Sequence, residues 1–276
     1  MNTLYHYCTV QTLLAILNGK TVWLSDASKM NDSHEVVWAD RLLEQVLRER
    51  HASMSDEDRN QFALGYNLNR PQPFIFCLST EPDILSQWRA YAGDGMGVAI
   101  GFKSDIFPRQ NHLPSTNIVP QMNTALWEVT YDIEEQRRIV DTLFGRACSS
   151  PDICVAEGGR PDYQLLGCYM AGISPMLKNP AFREEKEWRL IHTPRLMTDA
   201  NNKHTAMGTT YKIGQRVSNH QIITHFEFPL PATPTDVISE IWLGPRALVS
   251  AQDVELTLAL NEIGPVAIRH SSATYR

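Results

Sequence analysis

Apolar and polar positions along the chain follow two periods, near two and near 3.6 residues, and their boundaries predict the elements. β-branched and aromatic residues over 3–8 (TLYHYC) predict a strand. Val10, Leu13, Leu14 and Leu17 then fall at helical spacing, with Thr9 placed to cap the helix and Gly19 to stop it. Residues 21–25 (TVWLS) predict a second strand. A polar loop from Asp26 to Glu35 leads into a helix striped by Val36, Leu43, Val46 and Leu47. Residues 50–73 are polar, end in RPQP and read as a surface excursion.

FIFCLS (74–79) predicts an apolar strand, followed by a helix over 82–92 with Pro82 in its first turn. GVAIGF (97–102) predicts another buried strand, and the Pro- and Asn-rich stretch 103–125 predicts loop. Helical patterns return at 133–147 and 162–178, and EKEWRLIH (185–192) predicts a strand. The polar stretch 195–235 holds a strand at 220–228. Strands at 237–244 and 266–271 flank a helix near Ser250, where Ser250 and Asp253 have the capping pattern.

Short strands, irregularly placed helices and no βαβ alternation predict an α+β fold of mixed, mostly antiparallel, short-stranded sheets with helical insertions. No linker demands a second domain, so residues 1–276 read as one. GDGMG (93–97) lacks GxGxxG spacing and precedes a strand instead of opening a helix, which excludes a dinucleotide loop of the doubly wound kind.

Composition changes this picture little. The 276 residues are 43% hydrophobic and 20% charged, an ordinary globular balance. No apolar run reaches the ~20 residues of a membrane span. The start, MNTLYHYCTV, lacks the pattern of a secretory signal, so a cytoplasmic protein without a membrane partner is expected. Cys8, Cys77, Cys148, Cys154 and Cys168 are odd in number and read as free thiols; no CxxC or HxxxH pair supports a metal, and none is expected. A net charge of −6 without a basic block argues against sequence-independent nucleic-acid binding.

Four segments carry candidate chemistry: Tyr5–Thr9 around His6; the loop with Asn31, Asp32 and Glu35; Ser79 with the helix bearing Trp88 and Tyr91; and Glu185 to Arg189. Each has a plainer reading. A lone strand histidine is usually structural. Trp88 and Tyr91 share a face with Ile84 and Leu85, as core residues would. Glu185 and Glu187 sit in REEKEWR, which a solvated strand end also gives. Asn31, Asp32 and Glu35 fit either a turn with a helix cap or a substrate-facing loop. Arg189 most simply pairs with a carboxylate, and Arg246 lies in a GPRA turn.

The run YHYxT, LLxIL, WLSD, ND and E, then CxS, W, YA and GF, then ExEWR and EIWLGPRA, resembles a family described as domain of unknown function 2971, over nearly the whole chain. Its first strand with His-x-Thr/Ser, the xxILxxG helix, a strand ending in Ser before a Tyr-bearing helix, and a late Glu-x-Glu strand are in turn similar to ADP-ribosyltransferase folds. That second resemblance implies a split sheet core and NAD as substrate. It implies that His6 bonds a ribose hydroxyl and that the backbone at Tyr7, where the pattern often has Gly, holds the carboxamide beside Thr9. Tyr91 or Trp88 would stack on the nicotinamide, Ser79 would contact its amide, and Glu187 would bond the ribose 2′-hydroxyl.

Cleaving the nicotinamide–ribose bond builds positive charge on the sugar, which a preorganised carboxylate stabilises. On a strand over 185–192, Glu185 and Glu187 would share a face, leaving Glu185 to orient or deprotonate the acceptor. The resemblance thus implies ADP-ribose transfer to a protein or nucleic-acid acceptor, as in toxins and phage-defence effectors. Two alternatives stand: a non-catalytic module sensing a nucleotide or ADP-ribose, and phosphotransfer from a 2′-phosphorylated RNA end to NAD.

Overall fold

The predicted apolar strands converge on a single ten-stranded sheet. A computed structural model describes residues 3–29, 35–49, 54–68, 72–110, 119–149, 155–156, 160–198, 204–218, 220–231 and 237–274. The chain opens with β1 (Thr3–Cys8), α1 (Val10–Gly19) and β2 (Thr21–Asp26), continuing through α2 (Glu35–Glu49) and α3 (Asp56–Leu68). Next come β3 (Phe74–Ser79), α4 (Leu85–Tyr91), β4 (Val98–Lys103), β5 (Thr124–Glu128) and α5 (Ile133–Ser149). A two-residue pair, β6 (Val155–Ala156) and β7 (Arg160–Pro161), precedes α6 (Tyr163–Ile173). The last part holds β8 (Glu187–His192), β9 (Arg195–Thr198), β10 (His204–Met207), β11 (Lys212–Ser218), β12 (Gln221–Pro229), β13 (Ile238–Leu243), α7 (Ala251–Leu260) and β14 (Ala267–His270).

The sheet runs β11-β12-β2-β3-β1-β4-β13-β14, with β8 and β5 added on the far side of β3. Its ladders are antiparallel apart from β13–β14. One edge of β3 pairs with β8 along its whole length, from Phe74↔His192 to Ser79↔Glu187. The other edge is shared. β2 holds it at Ser25↔Ile75 and Asp26↔Phe74, and β1 holds it at Tyr5↔Ser79. Between those contacts β1 and β2 part, and the sheet splits over the middle of β3.

Phe74, Phe76, Phe102, Phe107, Phe226 and Phe228 pack edge to face or tilted in the core against this sheet. A second cluster, with Leu43, Phe62, Val140, Leu166 and Met170, joins α2, α3, α5 and α6 beside it. α3 and α6 cross closely through two glycines. A Cβ on Gly65 would lie 1.9 Å from the Gln164 carbonyl oxygen, and one on Gly167 would lie 2.3 Å from that of Phe62.

Local signals explain the element ends. The Thr9 hydroxyl accepts from the Thr12 amide at the start of α1, and Ser250 with Asp253 forms a full capping box on α7. α1 stops at Gly19 as expected, and Lys20 after it takes the left-handed conformation (φ 49°). Three expectations are corrected. The stretch 50–73 is not a plain surface excursion, because α3 buries Phe62 there against α6. The helix expected over 82–92 begins only at Leu85, after Pro82. The loop expected through 125 gives way to β5 at Thr124. Among the described residues no helix is long and apolar enough to cross a membrane.

Candidate active site

Where β1 and β2 separate, a cleft of about 700 Å³ opens over Ile75–Leu78 of β3. The end of β1 forms one wall, and β2 with β11 and β12 the other. Tyr91 of α4 and the start of β8 close one side.

His6 sits at the fork. Its Nδ1 lies 2.9 Å from the Cys77 carbonyl oxygen, and its ring packs 4.2 Å from that of Phe76. Burial pushes the imidazole down to about 4, so the ring is neutral at pH 7. A carbonyl only accepts, so Nδ1 carries the proton and Nε2 is left as an acceptor. Tyr7 and Thr9 continue this wall. The Tyr7 hydroxyl donates to the Glu81 carbonyl (2.8 Å) and accepts from the Ile84 amide (2.9 Å), tying β1 to the entry of α4.

Glu185, Glu187, Lys178 and Arg189 form a buried quartet at the other side. Lys178 Nζ donates to Glu185 Oε2 (2.6 Å) and Glu187 Oε2 (2.9 Å). Arg189 grips Glu187 through Nε (2.8 Å) and Nη2 (2.9 Å) and donates Nη1 to the Pro175 carbonyl (3.0 Å). Burial raises the Glu187 carboxyl, but the Arg189 guanidinium and Lys178 ammonium outweigh it and hold the group down at about 2. Glu187 is therefore ionised at any physiological pH.

The two glutamates do not share a strand. Glu185 ends a 3-10 turn over Pro180–Glu185, Lys186 takes the left-handed conformation (φ 45°), and β8 starts at Glu187. The period-two argument thus fails, and both carboxylates meet because Lys178 draws them together. Ser79 fixes the turn: its hydroxyl donates to the Glu185 carbonyl at 2.7 Å. Ser79 is itself buried and does not line the cleft.

Tyr91 and Trp88 separate. The Tyr91 hydroxyl reaches the cleft and lies 3.5 Å from Glu185 Oε1; burial and the Glu185 charge raise its phenol, keeping it protonated. Trp88 is fully buried, donates Nε1 to Asp83 Oδ1 at 2.7 Å and packs edge-on against Tyr7. Asn31 and Asp32 lie outside the described residues, and Glu35 opens α2. Arg246 is paired with Asp94 at 2.5 Å.

Sequence reasoning did not single out Lys178, Lys29 or Arg216, all of which line the cleft. Lys178 had a signal, being a lone charge in ISPMLKNP just ahead of the charged run REEKEWR.

Residues 87–190 match the sequence model of a family described as protein of unknown function (DUF2971). The match supports the family resemblance over that span, which holds Tyr91, Lys178, Glu185, Glu187 and Arg189. No curated protein and no solved structure matches the chain.

Proposed function

We propose that the cleft takes NAD as substrate and transfers ADP-ribose from it to a nucleophile on an acceptor. The observation behind this reading is convergence: His6 of β1, Tyr91 of α4 and Glu187 of β8 line one cleft at the fork of the sheet. In this reading the neutral His6 accepts a hydrogen bond from a ribose hydroxyl at Nε2, and the Tyr91 ring flanks the nicotinamide. Glu187, held too acidic to act as a base, contributes charge: its carboxylate favours the cationic sugar as the C1′–nitrogen bond breaks and the electron pair leaves on nicotinamide. The acceptor's nucleophile bonds to C1′, and its proton passes to Glu185 or to water. Ser79 and Trp88 are positioning residues here, one for the Glu185 turn and one for Tyr7 and the α4 entry.

The test is incubation of purified protein with NAD labelled on the adenylate side and a cell lysate, treated or not with nuclease and protease. Label should move to a macromolecule, with E187Q slower by roughly 100- to 1,000-fold. Protein that neither binds nor consumes NAD would sink the proposal.

One observation favours a second reading, a module that binds a nucleotide or ADP-ribose without turnover. Both Glu187 oxygens are already engaged by Arg189 and Lys178, and the quartet is neutral overall. Binding without consumption, unchanged in E187Q, would select this reading.

A further inference from the structure

The cleft is electrically lopsided. Four cationic side chains line it, Lys29, Lys178, Arg189 and Arg216, against the carboxylates of Glu185 and Glu187 alone among the described lining residues. A chain of net charge −6 thus keeps a surplus of two positive charges among the described residues lining this cleft. The surplus is localised. Lys178 and Arg189 are consumed by the two glutamates. Lys29 and Arg216, on the β2 and β11 side, have no carboxylate partner among the described residues.

Arg216 is also held in place. Its guanidinium lies over the Trp23 ring at 5.7 Å, and Trp23 is backed on His225 at 4.5 Å. Its Nη2 donates to Ser25 Oγ at 3.2 Å, whereas its Nε–H is shut away from solvent without an acceptor. A ligand oxygen cannot reach that sealed Nε–H, so what a phosphate meets is the rest of the guanidinium, which lines the cleft and is held fixed by Trp23 and Ser25. Lys29, exposed on the 3-10 turn after β2, adds a second charge.

We propose that Arg216 and Lys29 form an anion subsite on the β2–β11 wall that binds a phosphate or pyrophosphate group of the cleft's ligand. The two-charge surplus suits a pyrophosphate diester. The subsite deepens the NAD reading but does not depend on it, since a nucleoside monophosphate or a phosphorylated nucleic-acid end carries the same chemistry.

Calorimetry with ADP-ribose, AMP, adenosine and inorganic pyrophosphate on the wild type, R216Q, R216K and K29E tests it. ADP-ribose should bind R216Q and K29E about 10- to 100-fold more weakly than the wild type, with R216K between, while adenosine binds all four alike. If ADP-ribose fails but AMP or pyrophosphate binds and is lost in R216Q, the subsite stands and the NAD reading falls. If NAD is consumed yet R216Q and K29E bind ADP-ribose as the wild type does, the subsite is wrong and the NAD reading survives. Binding of no phosphate probe by the wild type also overturns it. Should R216Q unfold, K29E decides, because its side chain is exposed.

Discussion

The Nδ1 of His6 and the carbonyl oxygen of Cys77, 2.9 Å apart, bridge the two strands just past the point where their ladder stops. The bond needs a neutral ring, and burial lowers the pKa of His6 to about 4; His192, also buried, is lowered to about 4 by the same cause. Below the ordinary value of 6.5 the unfolded chain takes up protons that the folded chain refuses, so stability falls as pH drops from about 6.5 towards 4. Glu187 adds a separate decline from its ordinary 4.5 down to about 2. Urea midpoints between pH 7.5 and 4.5 should therefore slope downward with acid, and the double variant H6Q/H192Q should flatten the slope. A flat wild-type profile would show that neither ring is held neutral.

Lys178 is the shared counterion of two buried carboxylates. K178M takes this ammonium from both Glu185 and Glu187. Breaking a buried pair from one side costs about 3–5 kcal/mol. Adding E185Q removes one of the two negative charges that Lys178 offsets, so K178M/E185Q should recover part of that loss in urea unfolding at pH 7. If the double variant is no more stable than K178M, Lys178 contributes by packing and not by charge.

The helical layer offers a contrast between two glycines in helices. At Gly65 a methyl would meet the Gln164 carbonyl oxygen at 1.9 Å, whereas at Gly145 on α5 it would meet nothing within 4 Å. G65A should cost at least about 2 kcal/mol by prising α3 off α6. G145A should gain up to about 1 kcal/mol from lost unfolded-state entropy and better helix propensity. Thermal unfolding of the two variants checks the sign of each. Equal shifts would mean that the α3–α6 crossing is not the close contact described.

Elements with a strong period were legible. β1, α1, β2, β3, β4, β13 and α7 emerge from short apolar runs bounded by caps and turn residues, because local sequence decides them. β9, with every residue exposed, and β10 carry no buried stripe to betray them, and β5 is hidden in a Pro- and Asn-rich stretch by its neighbours. At the cleft, the glutamates and His6 were legible as chemistry-bearing types in unusual company. Lys178 shows in the sequence only as a lone charge ahead of the glutamate run, and Arg216 was not legible at all, because Trp23 and Ser25, which hold it, lie far away in the chain. Glu185 and Glu187 were placed together for the wrong reason: their proximity is set by a left-handed Lys186 and a shared lysine, neither of which side-chain periodicity contains.

The separation of Trp88 from Tyr91 decides which ring can meet a ligand. Both were candidates for stacking, since they lie three apart on one short helix. Trp88 faces inward, bonded to Asp83, whose carboxylate also takes Ser271 and Ser272 and so binds the C-terminal segment to the start of α4. Replacing it in W88F removes one donor from a carboxylate that keeps others, and should cost about 1–3 kcal/mol of stability while leaving ADP-ribose or NAD affinity within about twofold. Tyr91 faces the cleft, so Y91A should weaken a ligand bearing a flat ring by about 3- to 10-fold, at some cost in stability because part of the ring packs on the Tyr7 and Trp88 cluster. Y91F keeps the ring and gives up only the 3.5 Å approach to Glu185, so it should bind nearly as the wild type does. Calorimetry with NAD, paired with thermal unfolding of the same samples, separates the two residues. Weaker binding by W88F at unchanged stability would reverse the assignment and put the indole, not the phenol, against the ligand.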